Sequence, residues 1–252
     1  HQHHITFNLH VRGEAKRIEL EIPIAALANL GRDDQINMSI KSTIGEISLD
    51  AAAINGLAEQ MGNTVVIALG RNQDGTIVVE IKVGDKVIDA ITGEIRVVFS
   101  ARGLNTGSVP VLIGIDGKET LSRKSYVDGQ KMVVLMNGSG ILKIRDNALK
   151  FNDIQPNYWG KGAVDFVTAR RLFLGSSTNE FNTKGGMTRG MLATVFYRLE
   201  NTPAVTSGHK VPAGIKPGAY YAQAAVWANA NQIINGTDKG FEPELAVSNE
   251  QL

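Results

Sequence analysis

"NTKGGMTRGMLATVFYRL", residues 182–199, sets two glycines and a Thr-Arg step ahead of a strongly amphipathic run. Leu192, Val195, Phe196 and Leu199 fall on one helical stripe, so the spacing predicts a helix that opens near Thr188. A threonine there caps the helix through its hydroxyl, and the open N–H groups of the first turn together with Arg189 predict a small cationic pocket. Such a pocket suits a carboxylate, because a guanidinium offers a planar fork and charge-assisted bonds are the strong ones. Gly185 and Gly186 remove side chains where a ligand has to approach the backbone. The plainer alternative for Arg189 is a surface salt bridge, which contributes little.

A worn copy of the same stretch, "PELAVSNEQL", occupies residues 243–252. Sliding residues 151–192 over 212–252 aligns Trp159 with Tyr220, Ala163 with Ala224, Phe166 with Trp227, Leu172-Phe173 with Ile233-Ile234 and Gly175 with Gly236. After a one-residue gap, Phe181 meets Phe241, Met187-Thr188-Arg189 meets Val247-Ser248-Asn249, and Leu192 meets Leu252. A period near sixty residues predicts an array whose units share a core. The second copy departs at two places: Asn249 stands where the first has Arg189, and "HKVPAGIKPG" has no aspartate at the place of Asp153. Ser248 and Gln251 keep a capping-box pattern, so the second copy reads as a packing unit.

The matching text, "FNDI…YWGKGAVDFVTARRLFLGSS…FNTKGGMTRGMLATVFYRL", resembles the S-layer homology repeats of bacterial surface proteins, over residues 151 to 252. The resemblance implies three repeats in a pseudo-threefold helical spindle, whose grooves hold the acidic, often pyruvylated, secondary polysaccharide of a Gram-positive cell wall. It marks Asp153, Trp159, Gly175, Gly186, Thr188, Arg189, Tyr220 and Gly236 as ligand-binding. Trp159 offers a flat face for a sugar ring or, as tryptophans of helical repeats more often do, serves as a core anchor; Trp227, aligned with Phe166, reads as core, and Asp153 alternatively caps a turn. The expected fold is α+β and multi-domain. A sandwich-like β-rich spacer with two short helices spans 1–148, and an all-α part forms an incomplete pseudo-threefold bundle from repeats 149–204 and 205–252.

The β-rich reading of the first part rests on period-two alternation, as in Ile5, Phe7, Leu9 and Val11 or in "TIVVEIKV" and "VPVLIGID". Turns are expected at "VGDK" 83–86, "IDGK" 115–118 and Asn137-Gly138, the last predicting a type I′ hairpin over "MVVLMNGSGILKI". "LEIPIAALANL" at 20–30 and "ISLDAAAINGL" at 47–57 each read as a strand delivering a short helix, started by Pro23 and Asp50.

A net charge of +1 gives no electrostatic reason to expect nucleic acid. No cysteine is present, which excludes disulfides, thiolate metal sites and cysteine nucleophiles. The longest apolar runs fall short of a bilayer span, so no membrane insertion is expected. His1, His3, His4 and His10 invite a metal reading; His4 and His10 share a strand face, but no carboxylate falls between them at ligand spacing. Neither metal nor cofactor is expected, and no pair of acids stands out as a glycosidase dyad. "NMS", "NGS" and "NGT" match the glycosylation triplet by chance as easily as by design.

The sequence therefore predicts a non-enzymatic, extracellular piece of a cell-surface protein, trimmed at both ends, that attaches to wall polysaccharide. The rivals are a structural lattice or filament protein and the anchor of a larger glycan-degrading enzyme. A truncated array leaves apolar surface uncovered, which predicts self-association or pairing with another chain.

Overall fold

The structure is a computed structural model that describes residues 3–10, 13, 16–205 and 208–248. The chain divides into two compact units, His1–Asp146 and Asn147–Leu252. The first runs β1 (His3–Asn8), β2 (Arg17–Pro23), α1 (Ile24–Leu30), β3 (Ile36–Lys41), β4 (Glu46–Asp50), α2 (Ala51–Ala58) and β5 (Thr64–Arg71). It continues through β6 (Ile77–Val83), β7 (Lys86–Val87), β8 (Ile95–Ser100), β9 (Ser108–Ile113), β10 (Glu119–Leu121), β11 (Ser125–Asp128), β12 (Lys131–Met136) and β13 (Gly140–Asp146). The second unit holds α3 (Lys161–Ala169), α4 (Arg189–Leu199) and α5 (Ala222–Ala230).

The strands form two sheets, ordered β1-β3-β4-β8-β12-β11 and β10-β9-β13-β6-β5-β2, with β7 paired to β6. Only the β1–β3 ladder is parallel among the described residues. Alternation has its expected cause: Ile77, Val79, Ile81 and Val83 are buried, while Val78, Glu80 and Lys82 between them are only half-buried. Ile5, Phe7 and Leu9 pack on the same core; Val11 lies outside the described residues.

The two strand-helix stretches link the sheets in opposite directions. β2 leads through α1 to β3 in the other sheet, and β4 leads back through α2 to β5. Their strands close on each other, β2 on β5 and β3 on β4. Asp50 caps α2 by accepting the Ala53 N–H at 2.7 Å, whereas Pro23 provides no side-chain cap to α1. Asn55 Nδ2 donates to the Gly31 carbonyl at 2.9 Å and ties one helix to the end of the other. Leu27, Ile54 and Leu57 of the helices join Ile47, Leu49, Val97, Ile67, Leu69 and Ile81 of the sheets in one apolar core.

The hairpins at 83–86 and 115–118 form, with Gly84 and Gly117 at positive φ. The hairpin at Asn137-Gly138 does not. β12 pairs with β8 and β11, β13 pairs with β6 and β9, and the Asn-Gly step carries the chain from one sheet to the other. Neither residue has the positive φ that a type I′ turn requires. Glycine is needed there for space, since a Cβ on Gly138 would lie 1.9 Å from the Asp89 carbonyl oxygen. Ser139 then fixes the crossing by accepting the Ile81 N–H at 2.9 Å.

The expectation of an all-α second part in an incomplete bundle is also corrected. The described chain is mostly β, and in the second unit three helices of 9, 11 and 9 residues are joined by long turns and irregular stretches. Helical periodicity marked α4, but the links between the helices are held by backbone hydrogen bonds and include residues at positive φ, among them Arg171, Asn182, Asn201, Gln232 and Glu242. α4 and α5 pack as a pair, with Leu192, Tyr197, Ala224, Ala225 and Trp227 between them. The helix expected from Ser248 onward lies outside the described residues.

Candidate functional site

The two stretches that align in the sequence share features of backbone path. Arg171 and Gln232 leave the first helix of each copy at φ 54 and 58, and Asn182 and Glu242 occupy φ 64 and 50. Leu172 N–H bonds the Val167 carbonyl at 2.9 Å, as Ile233 N–H bonds the Ala228 carbonyl at 2.8 Å. Each copy also presents an aromatic residue just before its first helix: Trp159 is 91% exposed and Tyr220 64%. Their neighbours brace them, with Tyr158 5.6 Å from the Trp159 ring and Tyr221 5.2 Å from that of Tyr220. Trp227 is buried, 5.5 Å from Tyr197.

The head of α4 brings Thr188, Arg189 and Tyr220 together, but as a closed joint. Thr188 Oγ1 accepts the Met191 N–H at 3.3 Å. The Arg189 N–H donates to the Leu245 carbonyl at 2.9 Å and the Gly190 N–H to that of Pro243 at 2.8 Å. Thr188 pairs with Ala246 in an antiparallel bridge, and the Val247 N–H reaches the Met187 carbonyl at 2.9 Å. The donors expected to face a ligand are thus satisfied by the second copy's own carbonyls.

Arg189 follows them inward. It is 8% exposed, donates from Nε to the Phe241 carbonyl at 2.9 Å and from Nη2 to the Asn235 carbonyl, and lies 5.4 Å from the Phe241 ring centroid. The open cationic pocket is therefore corrected to an internal latch. With two of its nitrogens holding main-chain oxygens, the guanidinium is not free to present an open fork to a carboxylate. The Tyr220 phenol is raised above the usual value mainly by lost hydration, with Glu244 adding to the rise.

Asp153 accepts the N–H groups of Phe181 and Asn182 at 2.9 and 2.8 Å, which hold its carboxyl below the usual aspartate range. Gly175 sits at φ +86, where a Cβ would lie 2.5 Å from the Phe151 ring and 2.6 Å from the Glu180 carbonyl oxygen. Gly236 lacks that constraint on φ, and Gly186 faces open space. Asn249 lies outside the described residues.

Two features carried no sequence signal. Arg170 is fully buried, its guanidinium 3.8 Å from the Phe166 ring centroid, and burial pulls it down to about 10. A cleft of about 330 Å³ is lined by Gly214, Lys216, Tyr221 and residues 242–245. Tyr221 forms part of its wall and has a buried hydroxyl without a partner among the described residues. His3 pairs with Asp33, His1 lies outside the described residues, and no cluster of three metal-ligating side chains occurs among the described residues.

Residues 150–190, which run from just before Phe151 to the head of α4, match the family model of the S-layer homology domain. The chain carries an S-layer homology domain. The matched segment contains Asp153, Trp159, Gly175, Gly186, Thr188 and Arg189; Tyr220 and Gly236 lie beyond it. The chain is also similar to Exoglucanase XynX of Acetivibrio thermocellus, 25% identical over 114 residues that make up 45% of this chain and 10% of that protein. It is 26% identical to an amylopullulanase of Thermoanaerobacterium thermosulfurigenes over 102 residues, 40% of this chain and 5% of that one. The chain thus spans only a small part of these relatives. No solved structure matches. An S-layer homology domain is an anchoring module, not a catalytic one, and its presence places the chain outside the cell, at the cell surface and wall. No helix among the described residues is long and apolar enough to cross a membrane.

Proposed function

We propose that the chain anchors a secreted protein non-covalently to acidic, pyruvylated secondary cell-wall polysaccharide, with residues 149–204 and 205–252 as two repeats and 1–148 as a spacer. The observation that carries the reading is the pair Trp159 and Tyr220, exposed at the same place in both copies. A large aromatic face left in water is a feature that a sugar ring covers well, through apolar C–H contact on one side. In the stretch ahead of α4, Gly186 leaves the backbone open for a glycan, and the exposed Lys184 supplies a cation for the ketal carboxylate. Arg189 and Thr188 support the site from behind, by holding the copies together.

The test is co-sedimentation with purified cell walls before and after their acidic polysaccharide is stripped. Binding is expected only to unstripped walls, and Trp159→Ala and Tyr220→Ala are each expected to weaken it. Equal sedimentation with both wall preparations would remove the proposal. Self-association belongs to the same reading, because Phe196 and Ile233 remain exposed beside the α4–α5 pair; a monomer by light scattering at high concentration argues against it.

The names of the two relatives favour one refinement: the anchored protein is an extracellular glycan-degrading enzyme, of which this chain is a non-catalytic part. A parent polypeptide much heavier than this chain, with hydrolase activity, is the expected observation.

A further inference from the structure

The chain contains three Asn-Gly pairs, at 55–56, 137–138 and 235–236. In such a pair the glycine nitrogen can attack the asparagine side-chain amide, because no side chain shields it. The attack needs an accessible and unbonded amide, a free backbone N–H, and room to rearrange. Asn55 fails: its Nδ2 is committed to Gly31, and Gly56 is buried, with a hypothetical Cβ 2.9 Å from the Thr92 carbonyl oxygen. Asn137 fails too, since Gly138 is buried, with a hypothetical Cβ 1.9 Å from the Asp89 carbonyl oxygen, and leaves no room to rearrange. Asn235 and Gly236 are both exposed. Neither the Asn235 side chain nor the Gly236 N–H is hydrogen-bonded among the described residues. What is fixed is the Asn235 main-chain carbonyl, which accepts from Arg189 Nη2.

We propose that Asn235-Gly236 is a self-modification site that Arg189 steers toward isoaspartate. The Gly236 nitrogen gives its proton to solvent and attacks Asn235 Cγ; the N–Cγ bond forms, the Cγ–Nδ2 bond breaks, and ammonia leaves with a proton from water. One water then opens the cyclic imide. Attack at Cγ returns an ordinary aspartate, whereas attack at the main-chain carbonyl carbon leaves the chain running through the former side chain. That second route puts its negative charge on the oxygen that Arg189 already holds, so the guanidinium acts as a fixed stabiliser of the developing oxyanion. The product is a free carboxylate on the same atom. Arg189, which has no carboxylate partner among the described residues, gains one. Only water is consumed and only ammonia released.

The full chain is incubated in mildly alkaline buffer, folded or unfolded in guanidinium chloride, then digested and mapped by mass spectrometry with fragmentation that separates aspartate from isoaspartate. In the folded protein, conversion at Asn235 is expected to run about tenfold or more faster than at Asn137 or Asn55, a barrier difference of about 1.4 kcal/mol. Unfolding should bring the three sites together and lower the isoaspartate share at residue 235. Gly236→Ala should slow the step in both conditions. Equal rates at the three pairs in the folded chain, or an isoaspartate share unchanged by unfolding, would overturn the proposal.

Discussion

In the first copy of the repeat, the Asp153 carboxylate gathers the N–H groups of Phe181 and Asn182. In the second, Gly214 stands at that position, and the Ala213 main-chain carbonyl takes the Phe241 N–H at 2.8 Å. The same turn is closed by a titratable group in one copy and by an inert one in the other. The same division appears at the glycines, since Gly175 is forced by its φ and its neighbours while the aligned Gly236 is not. A shared backbone path is thus compatible with side chains under very different constraint, and the comparison shows which of them the fold requires.

Removing the latch between the copies should have the largest effect. Arg189→Ala is expected to destabilise the second unit by about 3 kcal/mol, because two charge-assisted bonds to main-chain carbonyls disappear. Denaturant unfolding measures it, and a loss near zero would mean that the copies do not depend on each other. Next comes the glycine pair. Gly175→Ala should cost about 2 kcal/mol from backbone strain and crowding, whereas Gly236→Ala should cost well under half as much; equal midpoints for the two variants would erase the contrast.

A smaller effect separates the copies by pH. The Asp153 carboxyl titrates below the usual aspartate value, so its contribution is complete above that value and is lost as pH falls through the lowered one. Asp153→Asn should therefore flatten the acid limb of a stability-against-pH curve. An unchanged limb would assign the acid sensitivity elsewhere. Smallest in stability is Trp159→Ala, expected within about 0.5 kcal/mol of the parent because the ring is almost wholly in solvent. Its loss should register in wall binding alone.

These contrasts also show what a sequence can reveal. Helix α4 and the capping roles of Thr188 and Asp50 were legible, because periodicity and cap chemistry act over a few residues. The destination of Arg189 was not, since its acceptors at Asn235 and Phe241 lie about fifty positions downstream and are main-chain oxygens that any residue supplies. Asn137-Gly138 misled for a related reason: a glycine chosen for clearance from Asp89 looks the same in one dimension as a glycine chosen for positive φ.

The bridge between Thr188 and Ala246 has a consequence for the order of events during synthesis. The stretch that closes the head of α4 emerges from the ribosome only after the helix itself, so α4 must wait, partly uncapped, for its own lock.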